Sequence, residues 1–124
     1  VVEAIEAASG EVVVPSGAAE ANALGLTTQV PIKEIFLTTG PSRRLNLGHR
    51  EVELKHGNRW QMSMGKRPAG QAIRALLWLG PDHAPAALQT LHGVLESQEW
   101  AAMRGARNLL PSWMAKAVSE VSGG

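Results

Sequence analysis

Residues 15–31 read Pro-Ser-Gly-Ala-Ala-Glu-Ala-Asn-Ala-Leu-Gly-Leu-Thr-Thr-Gln-Val-Pro, and residues 38–43 read Thr-Thr-Gly-Pro-Ser-Arg. This stretch predicts a short helix, an extended loop, a strand and a tight turn. Ser16 has the side chain of an N-cap, able to accept from a backbone N–H of the first turn. Ala18, Ala19, Ala21 and Ala23 favour helix, and Gly25 stands where a C-terminal stop belongs. Pro31 turns Val30 away from helical geometry. Ile32 to Thr39 then reads as a strand, with Ile35 and Leu37 on one face and Phe36 and Thr38 on the other, expected to be buried on both sides. Gly40-Pro41-Ser42 ends it.

On the N-terminal side, residues 1–9 place Val1, Val2, Ile5 and Ala8 near one helical face, Gly10 stops the helix, and Glu11 to Val14 is a short β-branched run. On the C-terminal side, Arg43–Leu47 and Arg50–His56 alternate apolar and polar residues across a Gly48-His49 turn. Leu45, Leu47, Val52 and Leu54 are expected to point inward. With the strand before them they suggest an antiparallel meander. Residues 58–68 show no clear period, although Trp60, Met62 and Met64 alternate. From Ala69 the sequence turns helical. Ile73, Leu76 and Leu77 form one stripe with Trp78 beside it, and Gly80-Pro81-Asp82 breaks it. Ala87, Leu88, Leu91, Val94 and Leu95 form the stripe of a second helix over 84–95. Ser97 caps a third reaching about Arg104, and a last helix starts at Pro111 or Ser112 and runs to Val121. Strands first and helices last is an α+β pattern: a small, mainly antiparallel sheet packed with helices, the C-terminal half helical.

A chain of 124 residues with 44% apolar content supports one domain over 1–124 with a modest core. Four Trp, one Phe and no Tyr leave Ala, Leu and Val to fill most of it. There is no Cys, which excludes disulfides and thiolate metal sites and fits a reducing cytoplasm. No apolar run approaches the roughly 18 residues of a membrane span. The first residue is Val1 rather than Met, and the chain is read as a piece of a longer protein.

Net charge is only +1, but it is unevenly placed. Between Arg43 and Arg74 stand eight cations and two acids, a net +6, which leaves the remainder near −5. Arg43, Arg44, Arg50, Lys55, Arg59, Lys66 and Arg67 are therefore the candidate nucleic-acid contacts, since such cations neutralise phosphates. The commoner reading of a charge run is a solvated face, here with Glu51 and Glu53 pairing their neighbours across strands. With no aromatic platform except Trp60 among these cations, single-strand binding is not favoured.

A second candidate is Glu53-Leu54-Lys55, whose outer residues share a strand face as the acid and lysine of a metal-dependent nuclease do. That chemistry needs a further acid on a neighbouring strand, and Glu34 is the one available, with Glu20 on a helix. The pattern is short enough to arise by chance. His49, His56, His83 and His92 show no ligand spacing, so no metal or cofactor is expected. Ser16 lacks the elbow, acid and base of a hydrolase. Trp100, Met103, Trp113 and Met114 read as core before they read as a partner patch.

The wording of residues 15–31 and of Phe36-Leu-Thr-Thr-Gly-Pro-Ser-Arg43 resembles the AbiEi-type antitoxins of bacterial type IV toxin–antitoxin systems. Ala69-Gly-Gln-Ala-Ile-Arg-Ala-Leu-Leu-Trp-Leu-Gly80 is similar to the helix that follows in that family. The motif residues carried over are Ser16, Gly17, Asn22, Gly25, Thr27, Gln29, Pro31, Gly40, Pro41, Ser42 and Arg43, none with a catalytic role. The resemblance implies a non-enzymatic antitoxin domain of a cytoplasmic, autoregulating transcriptional repressor. An N-terminal winged helix of the full protein would bind DNA. The domain would counteract a nucleotidyltransferase-like toxin, through the toxin or through its nucleic-acid substrate. Two other readings stand beside it: a nuclease-like domain using Glu53 and Lys55, and a protein-interaction module.

Overall fold

The structure is a computed structural model and describes residues 2–30 and 33–122. Val1, Pro31, Ile32 and the Gly123-Gly124 tail lie outside the described residues, as do the side chains of Val2, Leu47, Val121 and Ser122.

The elements run α1 (Val2–Ser9), β1 (Val13–Pro15), α2 (Gly17–Ala23), β2 (Glu34–Thr38), β3 (Arg43–Leu47), β4 (Arg50–His56), α3 (Arg59–Met62), α4 (Pro68–Leu79), α5 (Ala84–His92), α6 (Ser97–Gly105) and α7 (Ser112–Ser122), with a 3-10 turn over Arg107–Leu109. This is an α+β fold. Ser16 caps α2 as its sequence predicts, accepting from Ala19 N–H. The period-free stretch after β4 holds a short helix, closed by a capping box between Asn58 and Gln61. Glu96, not Ser97, takes the N-cap position of α6, without a side-chain cap bond.

The sheet order is β1-β2-β4-β3, with β2 and β4 parallel and the two outer pairings antiparallel. The expected meander is therefore corrected: β4 lies between β2 and β3, and the sheet is mixed. The reason is the turn over 38–42, which crosses the end of β4. Gly57 N–H donates to Thr38 O, His56 N–H donates to Ser42 Oγ at 2.8 Å, and the His56 ring sits 2.8 Å from Gly40 O. The turn thus holds β2 and β3 two strand spacings apart, about 10 Å, and β4 fills the gap.

Val13, Val52 and Leu54 are fully buried and pack with Ile5, Phe36 and Leu45, so α1 covers this face. Ala8, placed on the apolar side of α1 by its spacing, is exposed. Ile35, Phe36 and Leu37 are half-buried rather than buried on both sides. The two-turn α1 covers one face only in part, and Leu37 opens onto a shallow hollow on the other.

The larger core is helical. Ile73 and Leu76 of α4, Leu88 and Leu91 of α5, Met103 of α6 and Met114 and Val118 of α7 have no exposed surface. Each buried aliphatic side chain of this size contributes about 1.5–3 kcal/mol. Trp100 is buried and Trp113 partly so, as the core reading expects. Val94 is the exception in the α5 stripe: the helix ends at His92, and Val94 sits exposed in the following turn.

Candidate functional surface

The cations that suggested a nucleic-acid face are mostly paired inside the molecule. Arg43 meets Glu11 at 2.7 Å, Arg44 meets Glu51 at 3.7 Å, and Arg50 is bidentate on Glu34, its Nε at 2.9 Å. Lys66 meets Glu6 at 2.6 Å and Arg67 meets Glu99 at 3.0 Å. Arg74 meets Glu20 at 2.8 Å, deep between α2 and α4. Among the described residues only Lys55 and Arg59 of the segment carry no ion pair, and both are exposed. Five of the partners, Glu6, Glu11, Glu20, Glu34 and Glu99, come from the acidic remainder of the chain. The +6 block and its −5 counterpart thus find each other on folding. Alternation along β3 and β4 also sends Arg44 and Lys55 to one face and Arg43 and Arg50 to the other, so these cations do not share a face.

The pairs fix the approach of the elements. Glu99 reaches from α6 to accept from Ala69 N–H at 3.0 Å as well as from Arg67. It caps the start of α4, where Arg67 stands at the N-cap and its own side chain makes no capping bond to the helix backbone. Glu11 lies where a Cβ on Gly40 would go, so a side chain there would displace the Glu11 carboxylate from its present place against Arg43.

The cations hold the carboxyls of Glu6, Glu11, Glu34 and Glu99 below their ordinary range, through hydrogen bonds from Lys66, Arg43, Arg50 and Arg67 respectively. Burial pushes Glu20 up, with Arg74 opposing. The four lowered groups stabilise the fold fully above the unfolded carboxylate range, about pH 4, and this is lost as pH falls through their folded values. Glu20 acts in the opposite sense, because protonation relieves its desolvation. Four against one, acid unfolding followed by circular dichroism is expected to set in as pH falls below about 4. A Glu11→Gln/Glu99→Gln variant is expected to lose stability at neutral pH and to show a shallower acid dependence. An unchanged acid dependence would contradict this.

The nuclease constellation is not brought together. Glu53 and Lys55 share one face of β4, but Glu34 is in register with Val52, on the other face, and is held by Arg50. Glu20 is buried against Arg74. Among the described residues no three His, Asp or Glu side chains gather as metal ligands. A hollow of about 590 Å³ is lined by Lys33, Arg44 and Arg50 against Glu34, Glu51 and Glu53. Its charges balance, so it does not select a polyanion.

The motif residues are mostly absorbed by the scaffold. Ser16 caps, Gly17 lies against α4, and Gly25 ends α2 with a φ of 75°. Asn22 donates to Gln29 O at 2.8 Å, and Thr27 Oγ1 accepts from Gln29 N–H at 3.2 Å. Thr38, Thr39, Ser42 and Arg43 bind the turn, the last also donating to Pro41 O. What the scaffold does not take up is the outside of the loop after α2: Thr28 and Gln29 are exposed, and Val30 is 75% exposed.

Beside that loop stands Trp78, 42% exposed near the end of α4. It borders two hollows. One, about 400 Å³, is lined by Leu26, Thr27, Gln29, Trp78, Leu79 and His83. The other, about 280 Å³, is lined by Gly17, Leu37, Gln61, Arg74, Leu77 and Trp78. The indole is therefore a ridge on a surface that offers apolar area and amide and hydroxyl groups. Its backbone is set in advance by the Asn22 and Thr27 bonds, which lowers the ordering cost of binding. The sequence pointed to Trp78 only as a residue beside the core stripe. Its position one residue past Leu77, off the stripe, was the available signal.

Over residues 1–100 the sequence matches a family model described as a family of unknown function (DUF6088). No curated protein and no solved structure matches it.

Proposed function

We propose a protein-contacting, non-catalytic role for this chain, which belongs to the DUF6088 family: an antitoxin domain that restrains a nucleotidyltransferase-like toxin by direct contact. The antitoxin assignment rests on the resemblance of residues 15–43 and 69–80 to AbiEi-type antitoxins. The choice of protein contact over nucleic-acid contact rests on one observation. The exposed aromatic ridge at Trp78, beside Thr28–Val30, lies in the matched region, whereas five of the seven candidate cations are held in ion pairs. Exposed tryptophans flanked by hollows are the usual anchors of protein interfaces.

The test is calorimetric binding of the cognate nucleotidyltransferase-like protein to the chain and to its Trp78→Ala variant. Trp78→Ala is expected to weaken binding at least tenfold, about 1.4 kcal/mol or more, with the melting temperature little changed. Equal affinity of the two forms would remove Trp78 from the interface. No binding by either would overturn direct contact.

A further inference from the structure

The sheet has two outer edges, and they are not alike. On β1 the Val12 carbonyl accepts from Thr39 N–H and Ser16 N–H donates to the Ile35 carbonyl. Even-numbered residues therefore turn toward β2, and Val13 and Pro15 turn outward. Val13 N–H is taken by the Glu6 carboxylate at 3.2 Å, and Pro15 has no N–H to offer. A three-residue strand closed by a carboxylate and a proline is a blocked edge.

β3 is the opposite case. Gly57 N–H donates to Thr38 O, and His56 N–H donates to Ser42 Oγ. This sets the phase of β4: its odd residues bond toward β2 and its even residues toward β3. Arg43–Leu54, Leu45–Val52 and Leu47–Arg50 are thus the hydrogen-bonded pairs of the β3–β4 ladder. The N–H and C=O of Arg44 and Asn46 project from the free side. Both residues are exposed, and among the described residues neither a proline nor a carboxylate blocks these main-chain groups.

We propose that β3 is a strand-addition edge whose occupant is a second copy of this chain, paired antiparallel about a two-fold axis at Leu45. The register follows from the outward groups. With Leu45 on the axis, Arg44 stands opposite Asn46 of the partner subunit and Asn46 opposite the partner's Arg44. All four outward N–H groups and all four carbonyls of the two strands are then accessible to one another, giving four hydrogen bonds. A register shifted toward the strand start would set two Arg44 side chains against each other. One shifted toward its end would use only the Asn46 pair. In the centred register no like charges meet. Leu45, half-buried on the Val52 side, meets its symmetry mate in a non-hydrogen-bonded pair, where cross-strand side chains come closest. An isologous contact of this kind closes at two subunits, because the other edge of each sheet is blocked.

The register supplies a test with signs. Sedimentation velocity over a concentration series is run on the full chain and on three variants at the exposed Asn46. Asn46→Glu sets opposite charges across the axis twice and is expected to tighten the dimer severalfold. Asn46→Arg sets like charges there and is expected to weaken it severalfold. Asn46→Pro removes an outward N–H while leaving the β3–β4 ladder its bonds, and is expected to abolish dimerisation with folding retained. Should that variant fail to fold, the Glu and Arg variants still decide. A chain that stays monomeric at every concentration, Asn46→Glu included, overturns the proposal. So does a dimer indifferent to all three changes. Amide exchange at Arg44 and Asn46 is expected to slow as the chain is concentrated. Slowing seen only on adding a different protein would assign the edge to a foreign strand and overturn pairing between copies.

Discussion

Replacing Arg74 with Met is expected to cost this domain about 3–5 kcal/mol, a large part of the roughly 5–15 kcal/mol that keeps a domain folded. Arg74 is 1% exposed and Glu20 is 3% exposed. The guanidinium donates twice to Glu20, at 2.8 and 3.3 Å, and once to Gln61 O at 3.1 Å, so it ties α2, α3 and α4 together. Removing it leaves a carboxylate in an apolar interior with no counter-charge. The pair itself is another matter. Desolvating both ions offsets most of their attraction, so a Glu20→Leu/Arg74→Met double variant is expected to lie close to the parent or above it. Urea denaturation of the parent, the single variant and the double variant measures the difference. A double variant as unstable as the single one would contradict the argument.

Gly17→Ala is the second large effect. A Cβ at Gly17 would lie 2.6 Å from the Arg74 carbonyl oxygen and 2.8 Å from Trp78 Cβ. The first is main chain inside α4 and cannot swing aside, so α2 has to lift off α4. Overpacking of this kind costs about 1–3 kcal/mol, although alanine is the better helix former. Because α2 carries the loop to Val30 and the same Cβ presses on Trp78, the indole fluorescence is expected to shift as well. Gly105→Ala is the control. It lies in α6 with nothing within 4 Å of its Cβ, and is expected to be neutral or stabilising by up to about 1 kcal/mol. A Gly17→Ala protein as stable as the Gly105→Ala protein would show that the α2–α4 contact tolerates a methyl group.

Much of the fold was legible because its determinants are local. The Ser16 cap, the Gly25 stop, the Val52/Leu54 alternation and the Ile73–Leu76 and Leu88–Leu91 stripes each declare themselves within a few residues. The insertion of β4 between β2 and β3 was not legible. It depends on Ser42 and Gly40 bonding to His56, fourteen and sixteen residues away. The charge block misled for the same reason. Arg43 and Glu11 are separated by 32 residues, Lys66 and Glu6 by 60, and nothing local couples them. The sequence did hold one unused clue. A lone arginine in the apolar run 69–79 and a lone glutamate in an alanine-rich helix are opposite charges that burial forces to pair. The candidate surface was least visible, because Trp78 differs from its buried neighbours only by its angle around α4.

The claim on which the functional reading turns is that the basic stretch serves the fold rather than a polyanion. Its most direct test is fluorescence anisotropy of the chain with duplex DNA and with tRNA over a salt series. Each neutralised phosphate contributes about 0.9 to the slope of log affinity against log salt on duplex DNA. With Lys55 and Arg59 the only cations of this stretch without an ion pair among the described residues, the stretch is expected to contribute no more than about −2 to the duplex slope, with weak binding throughout. Tight binding with a slope near −6, the value of seven working cations, would mean that the ion pairs open to phosphate, and would return the partner to nucleic acid.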